Sequence, residues 1–267
     1  MRRRPLLPLV AVVLAAGACT SLGPTPSSTL VSARPAGRAD FEAQAAIVPG
    51  HYISSAVVED PAGAGIPQLA AVFEPDRALD VPGLIIGGRV FGESGDSPIE
   101  PMIGYRRALG DGTVALGGVL FGTRARASAE GASYRATRGG AELAADVRLT
   151  GASRWLEVHA FGGVAVTALS VDGTYCTDDD MRFGRQCPEA GEPPGPRLAA
   201  HASGVYPATH AGLGAELFRN RDAWFHGGRV ALLAAVGAMP RVEHATQTTP
   251  TSYASIGLAV ALSIGDE

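Results

Sequence analysis

Glu157 and His159 stand two residues apart, and His210 and Glu216 are likewise separated by an even number. In extended chain, even spacing puts both members of a pair on one face. A carboxylate beside an imidazole is the base half of a hydrolytic apparatus. The base still needs a nucleophile within roughly 2.6–3.2 Å and a third group to orient it. No serine is placed beside either pair by spacing, and the nucleophile-elbow pattern Gly-x-Ser-x-Gly does not occur. These side chains therefore read as members of a buried polar network, and no catalysis is expected. Asp178-Asp179-Asp180 offers oxygen ligands suited to a hard cation, but the spacing fits no calcium-binding loop and reads as a solvated loop tip. Gly87-Gly88 and Gly139-Gly140 do not lie between a strand and a helix, so they read as bend residues and not as phosphate cradles. Neither a metal nor a cofactor is expected.

The elements that must position these residues follow a rhythm. Short turns at Leu109-Gly110-Asp111-Gly112, Thr150-Gly151-Ala152-Ser153 and Arg219-Asn220-Arg221-Asp222 alternate with longer connections at 92–98, 127–132, 172–203 and 240–251. Between them the runs alternate in character. Ala254, Ile256, Leu258, Val260, Leu262 and Ile264 form one face of the last run, with Ser255, Gly257, Ala259, Ala261 and Ser263 on the other. Leu156, Val158, Ala160, Val164 and Val166 oppose Glu157, His159 and Thr167. Ala141, Leu143, Ala145 and Val147 oppose Glu142, Asp146 and Arg148. Ala211, Leu213, Ala215 and Leu217 oppose His210 and Glu216, while Val230, Leu232, Ala234 and Val236 oppose Arg229. Leu84, Ile86 and Val90 oppose Arg89. Two runs break the pattern: 99–107 is short of apolar residues, and 113–126 is apolar on both parities.

Short turns at one end and longer loops at the other are what an up-and-down barrel in an outer membrane shows. A charged side chain at the bilayer midplane costs about 2–4 kcal/mol. Arg89, Glu142, Asp146, Glu157, His159, Glu216 and Arg229 are therefore expected to face inward, pairing in a narrow lumen too full for a wide pore. The expected fold is all-β: an antiparallel transmembrane barrel of about eight strands, with ten possible. On strand number, loop alternation and lumen polarity the chain resembles the small OmpA-type outer-membrane barrels. The resemblance implies a fold and a membrane, rests on no motif and transfers no functional residue. The chain departs from that family by ending Ser263-Ile264-Gly265-Asp266-Glu267, without a terminal aromatic. Aromatics fall near strand ends, Tyr105, Phe218 and Trp224 toward the short turns and Phe91, Phe121, Tyr134 and Tyr253 toward the long loops.

Three domains are expected: a signal at 1–19, a tether with a possible short hairpin at 20–82, and the barrel at 83–267. Met1-Arg2-Arg3-Arg4 followed by an apolar run from Leu6 to Ala16 has the form of an export signal. It closes on Leu14-Ala15-Ala16-Gly17-Ala18-Cys19, which resembles the lipobox of bacterial lipoproteins and would make Cys19 a lipidated N-terminus. Export puts Cys176 and Cys187 in an oxidising compartment, where a disulfide closing the longest loop is the natural reading. Removing the signal takes three arginines from a chain of net charge −4, leaving −7. An acidic chain without basic clusters excludes nucleic acid as a natural partner. The expected partner is the lipid bilayer of the outer membrane, met by a monomer whose extracellular loops carry a structural, adhesive or recognition role. The alternative is a soluble periplasmic sandwich or ligand-binding barrel held by its N-terminal lipid.

Overall fold

A computed structural model describes residues 20–21, 41–49, 52–53, 65–75, 79, 81–91, 99–129, 132–151, 153, 155–176, 197–218, 225–243 and 247–264. Two short segments, β1 (Thr20–Ser21) and β3 (Tyr52–Ile53), pair with each other. The other strands among the described residues are β2 (Phe41–Pro49), β4 (Gly65–Phe73), β5 (Leu84–Phe91), β6 (Glu100–Leu109), β7 (Val114–Ala129), β8 (Ala132–Arg148), β9 (Leu156–Cys176), β10 (Arg197–Leu217), β11 (Phe225–Glu243) and β12 (Gln247–Ile264). They form one antiparallel meander that closes where β12 meets β2. The fold is thus an all-β closed barrel of ten strands, the larger of the two counts read from the sequence.

The two further strands correct the expected domain boundary. Phe41–Pro49 lies in the segment read as tether, so the barrel begins at residue 41 and not at 83. Alanine hides this strand in the sequence: Ala43 and Ala45 share the face of Phe41, giving little hydrophobic contrast with buried Glu42 and Gln44. Gly65–Phe73 includes the strand-like run Gln68 to Phe73. Tyr52 to Val58, also read as strand-like, supplies only Tyr52–Ile53 among the described residues.

The strands are unequal. β2, β4, β5 and β6 have 8 to 10 residues, whereas β7 to β12 have 16 to 21. Much of what the sequence suggests as long loops is strand continuing above a shorter ring. The connection expected at 127–132 shrinks, because β7 runs to Ala129 and β8 restarts at Ala132. β6 pairs with β7 only as far as Phe121, β12 meets β2 only from Ala259, and β10 meets β11 only from Ala208. Above the ring the wall therefore divides into a four-stranded sheet, β7 to β10, and the β11–β12 hairpin. At about 3.3 Å per residue, the 21 residues of β9 outreach the 10 of β6 by roughly 36 Å along the strand.

One parity of each strand fills the barrel. On the β4–β8 side the filling is apolar, a cluster of Val72, Ile85, Met102, Ala115, Val119, Phe121 and Ala144. That corrects two expectations: the lumen is only partly polar, and Phe121 lies inside, where its ring meets Arg89 at 4.3 Å. Elsewhere rings lie over glycine. A Cβ on Gly204 would come within 2.6 Å of Tyr206 Oη, and one on Gly212 within 2.6 Å of Phe161 Cζ.

Candidate functional site

All seven residues expected in the lumen are there. Arg89, Glu142, Asp146, Glu157, His159 and Arg229 are buried, and Glu216 retains 12% side-chain exposure. The structure joins them to groups that the sequence reading does not place in the network. Arg229 lies at the centre of the largest group, with Nη1 donating to Glu42 Oε2 and Nε donating to Glu216 Oε1, both at 3.1 Å. Glu42 also meets Arg106 Nη2 at 3.4 Å, and Arg106 Nη1 lies 3.7 Å from Glu74. On the other side, His159 Nε2 is 3.7 Å from Glu216 Oε2, and His159 Nδ1 is 3.4 Å from Asp146 Oδ1. The chain Glu74–Arg106–Glu42–Arg229–Glu216–His159–Asp146 thus crosses the lumen near the short-turn end.

A second group stands further along the barrel. Glu100 accepts from Arg138 Nε at 2.8 Å and pairs with Arg89. Glu142 lies 3.8 Å from His210 Nε2. Spacing along one strand suggests His210 with Glu216, but the register decides otherwise. On β10, Glu216 is directly opposite Glu157, and Gly214 is opposite His159. That brings His159 to Glu216 and leaves His210 to Glu142. The sequence signal for Glu100 and Arg106 is their period-2 spacing, masked in 99–107 by the few apolar residues opposite them.

Buried charges pair because isolation in a low dielectric is costly, and breaking such a pair is more costly than never having built it. Two cross-linked groups in the lumen fasten strands far apart in sequence, such as β2 to β11 through Glu42 and Arg229. Outside the ring, at the turn after β6, Asp111 Oδ1 accepts from Thr113 Oγ1 at 2.5 Å and from Thr113 N at 2.9 Å. Those two hydrogen bonds, the hydroxyl's first, hold its carboxyl below the ordinary aspartate value.

The outer parity is the converse of the lumen. Leu143, Val164, Leu213, Leu232, Ile256, Leu258 and Leu262 are exposed there, Ile256 at 78%. Along five of the tall strands this apolar face gives way to polar residues. Ala141 gives way to exposed Thr137 and Arg135 on β8, Ala168 to Ser170 and Asp172 on β9, Val205 to Ser203 on β10, and Ala254 to Ser252 on β12. Leu120 gives way to Arg124 on β7. At the short-turn end the belt is edged by aromatics. Trp155 and Phe218 meet edge to face at 6.3 Å, with exposed Tyr105 and Phe73 at the same end of their strands. Cys19, Asp178-Asp179-Asp180, Cys187 and Trp224 lie outside the described residues; Cys176 closes β9.

The chain matches no family model and no curated protein. Among solved structures, Neisserial surface protein A aligns over 83% of this chain and 94% of its own at 10% identity, with a TM-score of 0.31. The outer-membrane protein OmpT of Vibrio cholerae aligns over 86% and 99% at 12% identity, with a TM-score of 0.16. The barrel fold stands on this chain's own closed ladder.

Proposed function

We propose that this chain is a monomeric, non-enzymatic β-barrel of a bacterial outer membrane, exported by its N-terminal signal and acylated at Cys19. One observation carries the reading: hydrophobicity is inverted, with charge inside the ring and an apolar belt outside it. A water-soluble barrel gains its stability by turning the apolar face inward, and here that face is exposed. The belt spans Ala254 to Ile264 on β12 and Leu156 to Ala168 on β9, close to the ~9–11 tilted residues that cross a bilayer. Its aromatic edge at the short-turn end fits a headgroup boundary.

The lumen is closed by side chains, so the role falls to the tall wall of β7 to β12. That wall would stand outside the cell with the 177–196 connection at its top, where a Cys176–Cys187 disulfide would close the loop. A scaffold of this kind serves a structural, adhesive or recognition role, because exposed connections on rigid elements carry binding. The test is gel mobility of protein from washed outer membranes, with and without boiling, together with a carbonate wash. A heat-dependent shift and retention through the wash are expected. Release by carbonate, or release once Cys19 is replaced by Ala, would overturn the membrane-spanning reading.

A further inference from the structure

Acids and arginines meet at the short-turn end of the lumen. Glu42, Glu74, Asp146, Glu157 and Glu216 are five carboxylates, and Arg106, Arg148 and Arg229 are the three arginines in contact with them. Two of these acids stand side by side. Glu157 and Glu216 are direct cross-strand neighbours in the β9–β10 ladder, a placement in which like charges repel. One ligand atom from each of Glu157, His159 and Glu216 lies within 4.8 Å of the others.

His159 gives the direction. Its two ring nitrogens each face a carboxylate, Asp146 at Nδ1 and Glu216 at Nε2. A neutral imidazole has one N–H and one lone pair, so one nitrogen needs a cation between it and the acid. Asp146 on Nδ1 is the outer partner that orients a metal-binding imidazole and leaves Nε2 free to coordinate. Arg229 takes Oε1 of Glu216, leaving Oε2 toward His159. A hollow lined by Asp146, His159, Phe161, Gly214 and Arg229 adjoins the imidazole. Gly214 keeps it open, since a Cβ there would meet its first neighbour only at 3.7 Å.

We propose that Glu157, His159 and Glu216 bind one divalent transition-metal ion just inside the short-turn mouth of the barrel. His159 Nε2 and one oxygen of each glutamate are the ligands, and Asp146 orients the imidazole. An ion about 2.0–2.2 Å from each ligand sets tetrahedral ligand separations of roughly 3.3–3.6 Å, so atoms now up to 4.8 Å apart close by about an ångström on binding. One imidazole with two carboxylates suits zinc better than calcium or magnesium, which prefer oxygen alone. Three protein ligands leave a fourth coordination position open. The proposal rests on the barrel's register and is independent of the membrane reading.

The test uses full-length, tag-free protein folded in detergent, stripped with chelator and titrated with Zn2+ by calorimetry and with Co2+ by visible absorption. One ion per chain is expected. Affinity should fall at least tenfold in His159→Gln and stay unchanged in His210→Gln, the other described lumen histidine. Unboiled gel mobility reports folding of each variant separately from metal, and Glu157→Gln takes over if His159→Gln does not fold. A folded wild type that binds neither ion would mean that a proton alone bridges His159 and Glu216. That result, or undiminished binding in a folded His159→Gln or Glu157→Gln, would overturn the proposal.

Discussion

Replacing Arg229 by Met removes the cation that links two lumen acids, Glu216 on the neighbouring strand β10 and Glu42 on β2. At 3.1 Å and an effective dielectric near 20, each of its contacts with Glu42 and Glu216 carries about 5 kcal/mol of gross attraction. Desolvation offsets much of that, and the 12% exposure of Glu216 lets water screen one contact. What remains on deletion is the cost of two carboxylates left in the lumen, one of them still near Arg106. We expect Arg229→Met to lose about 3–5 kcal/mol. The measurement is urea unfolding in lipid vesicles followed by tryptophan fluorescence, with chelator present throughout so that metal plays no part. Adding Glu42→Gln and Glu216→Gln to Arg229→Met should recover most of the loss, since a neutral set leaves no buried charge unanswered. A single variant within about 1 kcal/mol of wild type would refute the reasoning. So would a triple variant weaker than the single one, because the penalty would then lie in packing.

Three further outcomes are expected. Leu258, half-exposed in the apolar belt, should block membrane assembly when changed to Arg, at about 2–4 kcal/mol; normal heat-modifiable protein in membranes would show that this parity does not face lipid. Gly204→Ala places a methyl group within 2.6 Å of the Tyr206 hydroxyl and should destabilise the barrel, whereas Tyr206→Leu in the same chain should relieve the clash; additive losses in urea unfolding would exclude that contact. Asp111 should titrate below the ordinary aspartate value by carbon NMR in micelles and move back up in Thr113→Ala. Its contribution to stability is then full above the unfolded aspartate pKa and is lost as pH falls through the lower folded value. An unchanged titration in Thr113→Ala would remove the hydroxyl as the cause.

Parity was the part of the fold open to reading. Wherever a charged residue recurs among alternating apolar ones, as Glu142 and Asp146 do opposite Leu143 and Val147, cost alone decides which side faces in. It fails where the contrast is weak. Phe121 lies in a run apolar on both faces, so nothing in its neighbours tells lumen from belt. Glu42 and Gln44 are hidden because Ala43 and Ala45 oppose them, and alanine says little. The convergence of Glu157, His159 and Glu216 depends on the β9–β10 register, which brings together positions 57 apart across a loop. Strand length was also out of reach, because β7 crosses from the apolar belt into Arg124 without changing its period.

Closing a sheet into a ring removes its edges only as high as the ring is closed. Higher up, among the described residues, 122–129 of β7, 197–207 of β10, 238–243 of β11 and 247–258 of β12 each pair on one flank only. The tall wall therefore carries four backbone borders with free rungs, the kind on which another extended chain can grow. The sequence meets this with residue type: Pro250 in β12 has no N–H to offer, and exposed Arg124 puts a charge where β7 leaves the ring. Amide exchange should be fast along these four borders and slow in the lower halves of the same strands. Mutations that remove Pro250 or Arg124 would then act on self-association before they act on folding.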